Sequence, residues 1–175
     1  AKQATEKGIK TLILTGDADQ LQLVDEKTSL LMYAGYGKNR TIRTYDPAGV
    51  AERYDGLGPE YVAEIKALEG DSSDNIPGVP GVGKKSARTV LAKLGHFESL
   101  FNNLGEVEHI QGLRGAKRTM NLLKEHRDDA EFYRTLTKID RDVPIDFDAE
   151  QSRIQFNHEA VFKILEEYDL TTVSD

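Results

Sequence analysis

The chain has 175 residues, 38% of them hydrophobic and 30% charged, which fits one compact domain or one domain plus a small appendage. With no cysteine it has neither disulfides nor thiolate metal sites, and its four histidines (His96, His109, His126, His158) are too scattered for a zinc cluster, so any metal is expected on oxygen ligands. The net charge of −7 argues against nonspecific coating of nucleic acid; with no bilayer-length apolar run and no secretory pattern, a soluble intracellular protein is expected.

Residues 1–7 read as the tail of a helix closed by Gly8, so the chain is expected to begin inside an element, as a fragment would. The run TLILT (11–15) is continuously apolar and β-branched, as in a strand buried within a parallel sheet, and it ends at Gly16 and Asp17, where α/β sites form. Residues 29–33, the turn-rich GYGKN and residues 40–45 predict a β-hairpin. Asp46-Pro47 is an N-cap and N1 pair opening a helix to about residue 54, and Pro59 opens another to about residue 68. Beyond Gly83 the pattern is helical: 83–94, stopped by Gly95; 97–104, stopped by Gly105; then 116–125 and 127–137. An Asp-rich, Pro-containing connection (140–148) leads to a last amphipathic helix at 158–168, with Val161, Ile164, Leu165 and Tyr168 on one face. The predicted class is α/β. A partial parallel sheet with a β-hairpin (1–69) precedes an all-helical region (70–175), and residues 70–83 form the junction.

Three constellations carry chemistry. Asp17 and Asp19 lie in the turn after the first strand; Asp17 could simply cap the short helix that follows. A calcium loop is excluded because Leu21, Gln22 and Thr28 stand where oxygen ligands and the turn glycine are needed. A dehalogenase-type phosphatase, which forms an aspartyl-phosphate at such an Asp-x-Asp, stays open on these residues alone. Asp71 and Asp74 could be an N-cap and a turn aspartate. If all four converge, their mutual repulsion calls for a cation, and carboxylates without His or Cys select Mg²⁺ or Mn²⁺. The third constellation, PGVPGVGKK at 77–85, has Gly78, Gly83 and Lys84 at P-loop spacing. Lys85, however, takes the place of the Mg²⁺-binding hydroxyl, and polar residues precede the loop. A helix-hairpin-helix, whose backbone NH groups meet a DNA phosphate without reading bases, fits better. Two acid-free basic islands stand out in this acidic chain, one at 75–97 with Lys84, Lys85, Arg88 and Lys93, the other at 109–124 with Arg114, Lys117, Arg118 and Lys124.

TGDADQLQLV followed by GDSSDNIPGVPGVGKKSA resembles the C-terminal half of the 5′-nuclease family, most closely the 5′-3′ exonuclease domains of the bacterial DNA polymerase I type, over essentially the whole chain. The resemblance implies a 5′-3′ exonuclease and flap endonuclease that hydrolyses DNA phosphodiesters in replication and repair by two-metal-ion catalysis. It makes Asp17, Asp19, Asp71 and Asp74 metal ligands for Mg²⁺ or Mn²⁺. It casts residues 70 onward as a helix-three-turn-helix that grips the duplex. The carbonyls of Pro77, Val79 and Val82 would hold a monovalent cation such as K⁺, and Gly81, Gly83, Lys84, Lys85 and Arg88 would face the DNA. The implied partners are 5′ flaps and nicked or branched duplexes, the implied location the cytoplasm at the nucleoid, and a polymerase domain could be fused in the parent. The family's N-terminal half, with its further carboxylates and basic arch, has no counterpart here, so the chain alone is expected to bind DNA weakly and cleave poorly. A noncatalytic helix-hairpin-helix module is the alternative.

Overall fold

The computed structural model describes residues 1–34, 41–154 and 157–170, so the expected GYGKN turn lies outside the described residues. The chain divides into two compact units, Ala1–Val143 and Pro144–Asp175.

The first unit opens with α1 (Lys2–Glu6), and Gly8 follows at φ +76°. Three strands form one sheet in the order β1 (Thr11–Leu14), β2 (Thr28–Ala34), β3 (Thr41–Tyr45). The β1–β2 pair is parallel, with Leu14 beside Leu31, and the β2–β3 pair is antiparallel, with Leu30 beside Tyr45. Because side chains alternate along a strand, Thr28, Leu30, Met32 and Tyr45 turn to one face and are buried. On the other face Leu12, Leu14, Tyr33 and Ile42 are 61%, 63%, 64% and 55% exposed. The apolar run of β1 predicts burial on both sides. Only one side is buried, because among the described residues the core gathers on the Leu30 face, where Val50, Val62, Ile65 and Leu68 join it.

Asp46 caps α2 (Pro47–Arg53) by accepting from the Gly49 amide at 2.8 Å, with Pro47 at N1, as the sequence predicts. Pro59 opens a 3-10 turn (Pro59–Tyr61) that runs into α3 (Val62–Glu69), whose residues from Val62 to Leu68 are all buried. This burial includes two charged side chains. Glu64 pairs with His96 Nδ1 at 3.1 Å and Arg134 at 3.7 Å; burial pushes its carboxyl above the usual range, with His96 and Arg134 opposing. The other charged side chain, Lys66, belongs to the site described below.

Then come α4 (Lys84–Leu94), α5 (Phe97–Asn102), α6 (Ala116–Glu125) and α7 (Arg127–Thr137). The helix predicted at 97–104 is shorter, and a 3-10 segment, Leu104–His109, follows it. The α7 helix closes over α3, and Thr137 Oγ1 donates to the Ala63 carbonyl at 2.9 Å. Val79, Val82, Ala87, Val90 and Leu91 share the core with Leu30 and Leu68, so the sheet and the helices after Gly70 bury one another. Each fully buried leucine there stabilises the unit by roughly 1.5–3 kcal/mol.

In the second unit Asn157 caps α8 (His158–Glu167) by accepting from the Ala160 amide at 3.1 Å. None of its side chains is buried, and Ile164 and Tyr168 of the predicted apolar face stand exposed. No helix among the described residues is long and apolar enough to cross a membrane.

Candidate metal centre and hairpin

Two loops bring the acidic residues together. After β1 the Asp17 carboxylate accepts from the Asp19 amide at 2.8 Å, starting a 3-10 turn (Ala18–Leu23) anchored by fully buried Leu21. The cap reading of Asp17 thus describes its local role. The second loop leaves the end of α3 at Gly70. There Gly70 and Gly78 both have positive φ, +85° and +68°, and their backbones touch: a Cβ on Gly78 would lie 2.3 Å from the Gly70 nitrogen. This approach lets Asp71 and Ile76 exchange both backbone hydrogen bonds, each 2.8 Å, while the Val79 amide donates to Leu68 at 2.9 Å. The tight loop between them carries Asp71 and Asp74, and buried Val79 and Val82 pin the hairpin that follows.

Oxygens of Asp19, Asp71 and Asp74 lie within 4.8 Å of one another. Three convergent carboxylates are a hard, all-oxygen donor set, the chemistry of a Mg²⁺ or Mn²⁺ site, so the residues present fit such an ion. Lys66 Nζ, on a side chain only 9% exposed, bonds to Asp19 Oδ1 and sits 2.5 Å from Asp71 Oδ2. A tethered ammonium thus offsets part of the negative charge of the cluster. Burial would raise the Asp71 carboxyl, but Lys66 and two hydrogen bonds from Ser73 (N at 2.9 Å, Oγ at 2.5 Å) outweigh it and hold it at about 2. Asp19 goes the other way: burial pushes it up and Asp74 and Asp17 add to the rise, with Lys66 opposing. The Lys66 ammonium is itself raised, because its bonds to Asp19 and Asp71 exceed the cost of burial.

Asp17 lies outside the three-oxygen group, on the wall of the same open cleft. That cleft, about 1280 Å³, is also lined by Lys66, Asp71, Asp74 and Lys84. Lys66 is the residue that sequence reading missed. The available signal was a lone lysine in the otherwise apolar end of VAEIKAL, one turn before the Asp71 loop.

The segment leading into the hairpin is a turn with one isolated bridge, not the strand that a P-loop needs. Within the hairpin the Val82 amide donates to the Val79 carbonyl at 3.0 Å. Gly83 starts α4 with no side-chain cap, and Lys84 and Lys85 are exposed in its first turn. Arg88 is committed elsewhere: its guanidinium bonds to Glu69 (3.2 and 3.3 Å), Asp55 (3.1 Å) and the Arg53 carbonyl (3.2 Å), tying α4 to α3.

An α/β frame that sets an oxygen-only cation cluster beside a glycine hairpin is suited to phosphate esters. Residues 57–160 match the family described as 5′-3′ exonuclease, C-terminal SAM fold, and the chain belongs to that family. Among its relatives, DNA polymerase I of Chloroflexus aurantiacus is 40% identical over 176 residues, covering 100% of this chain and 18% of that protein. DNA polymerase I of Bacillus subtilis is 35% identical over 175 residues, 99% of this chain and 19% of that protein. The chain therefore spans under a fifth of the length of these curated relatives. Among solved structures, the T5 5′-exonuclease with bound zinc superposes with a TM-score of 0.60 at 20% identity, over 78% of this chain and 45% of that one. The bacteriophage T5 flap endonuclease in a pseudo-enzyme–product complex with DNA and metal ions gives 0.61 at 20% identity, over the same shares. At this identity the likeness establishes the fold.

Proposed function

We propose that the chain forms the metal-binding and duplex-gripping part of a 5′-3′ exonuclease and flap endonuclease, a hydrolase of DNA phosphodiesters acting in replication and repair in the bacterial cytoplasm, within a protein that also carries a polymerase. The carrying observation is the convergence of Asp19, Asp71 and Asp74 oxygens within 4.8 Å beside the hairpin. These three would hold Mg²⁺ or Mn²⁺, with Asp17 contributing from the cleft wall. A cation bound there supplies an acidified water and offsets charge on the phosphoryl oxygens.

The chain's own residues prepare that site. Lys66 and Ser73 keep Asp71 ionised, so its oxygens remain acceptors across the working pH range. Lys84 lines the same cleft, which supports a role in meeting a phosphate brought to the aspartates. The Gly81 and Gly83 amides and Lys85 grip the backbone next to it. The carbonyls of Pro77, Val79 and Val82 are proposed to hold K⁺; Val79's carbonyl accepts from the Val82 amide at 3.0 Å, and a carbonyl oxygen has a second lone pair to offer.

The test is Mn²⁺ uptake by the chain with and without a 5′-flap duplex. The duplex is expected to tighten uptake, because its phosphate adds ligands, and Asp71→Asn to abolish the effect. Uptake indifferent to both duplex and Asp71 would overturn the nuclease reading in favour of a noncatalytic DNA-binding module.

A further inference from the structure

The second basic island is not absorbed by the hairpin, yet the fold brings it there. It occupies the turn after the Leu104–His109 segment and the first turn of α6, with Arg114, Lys117 and Arg118 all exposed. A Cβ on Gly81, at the tip of the hairpin, would lie 3.1 Å from Leu122 Cδ1 and 3.5 Å from Arg118 Nη2, so α6 packs directly against that tip. The hairpin thus adjoins both the acidic cleft, which Pro77 and Lys84 help line, and α6, through Leu122 and Arg118.

We infer that α6 extends the duplex contact: Arg114, Lys117 and Arg118 hold a stretch of DNA backbone beyond the one gripped by Lys84 and Lys85. This rests on the hairpin's proposed role in gripping duplex DNA. Charge complementarity carries it. Elsewhere in the described residues most arginines are paired with carboxylates, Arg43 with Glu52, Arg88 with Glu69 and Asp55, Arg127 with Glu131, Arg134 with Glu98 and Arg153 with Glu150, while Arg53 bonds to the Tyr45 hydroxyl. Arg114, Lys117 and Arg118 have no carboxylate partner among the described residues, in a chain of net charge −7. The design also repeats that of α4. Each helix starts at a glycine without a side-chain cap, and each has cations and no acid in its first turn, against the helix macrodipole. The α3, α5, α7 and α8 helices place acids there, while the short α1 and α2 do not. The charge arrangement of α4 and α6 is unfavourable to the free helices, but it sets cations at the starts of two helices that both adjoin the hairpin, and the repeating phosphates of a duplex are the polyanion these cations complement.

The test is fluorescence anisotropy of the chain on a 5′-flap duplex in EDTA, over roughly 50–200 mM KCl. Three variants are compared: Arg114→Gln/Lys117→Gln/Arg118→Gln, Lys84→Gln/Lys85→Gln, and a control with the same charge change elsewhere, Lys10→Gln/Lys27→Gln/Lys163→Gln. The α6 triple variant is expected to weaken binding and to make the slope of log K against log salt shallower by about 2.7, or about 0.9 for each lost phosphate contact. The single Arg118→Gln, with folding checked by circular dichroism, should shift it by about 0.9. An α6 effect no larger than the control's overturns the inference. If Lys84→Gln/Lys85→Gln weakens binding in that case, the hairpin reading stands; if it too has no effect, that reading falls as well.

Discussion

Lys66→Met removes the cation at the centre of the aspartate cluster and keeps most of the side chain's packing. Breaking a fully buried ion pair costs about 3–5 kcal/mol, because the remaining charge is stranded. Here Asp19 and Asp71 retain some contact with solvent, at 19% and 13% side-chain exposure, and the variant no longer has to bury an ammonium, so the expected loss is about 2 kcal/mol. For a domain of this size that is about 4–8 °C in Tm. A divalent cation should then do what the ammonium did. At a hundred times its Kd it restores about 2.7 kcal/mol, and it should stabilise the variant more than the parent, where it must compete with Lys66. Thermal melts of parent, Lys66→Met and charge-preserving Lys66→Arg in EDTA and in Mg²⁺ measure this directly. A Lys66→Met chain as stable as the parent in EDTA, or one that gains no more from Mg²⁺, would refute the idea that Lys66 neutralises a cation site.

Gly78→Ala forces a Cβ into the Gly70 backbone at 2.3 Å and places alanine at φ +68°; the two penalties together predict a loss of about 2–5 kcal/mol in urea unfolding, and a loss below about 1 kcal/mol would show that the contact yields easily. On the sheet, Leu30→Ala should cost about 2–5 kcal/mol and Leu12→Thr less than about 0.5 kcal/mol, since they lie on the buried and exposed faces; equal costs would contradict the observed burial. Glu64 tests the pH dependence. Because its folded pKa is raised, the folded chain binds the proton more tightly, and stability declines as pH rises from the ordinary value near 4.5 through the raised one. Glu64→Gln, which keeps an acceptor for His96 and Arg134 without the charge, should flatten that decline in urea midpoints taken between about pH 4 and 7; parallel profiles for the two chains would rule it out.

The legibility of the fold followed local chemistry. Asp46-Pro47, Pro59 and Gly95 delimit helices through capping and φ constraints that act within a few residues, and the structure has elements starting or stopping at each of them. The Asp71 loop could be read for the same reason, since glycines and a turn asparagine bend it locally. What escaped depends on neighbours distant in sequence. Lys66 is buried because α4, α7 and the Ala18–Leu23 turn surround α3, which no periodicity within VAEIKALE reveals. Arg88 looks like an exposed basic helix residue until Glu69 and Asp55 are brought to it. Asp17 and Asp19, two residues apart, are separated by a turn that one of them caps, so a shared motif does not become a shared position.

The most direct test of the metal centre is Mn²⁺ binding to the chain in the absence of DNA, measured by electron paramagnetic resonance for the parent and for Asp17→Asn, Asp19→Asn, Asp71→Asn and Asp74→Asn. The geometry predicts that each of the last three weakens binding strongly, while Asp17→Asn, outside the three-oxygen group, weakens it least. Binding that survives the loss of Asp19, Asp71 and Asp74, or that depends on Asp17 alone, would contradict the account.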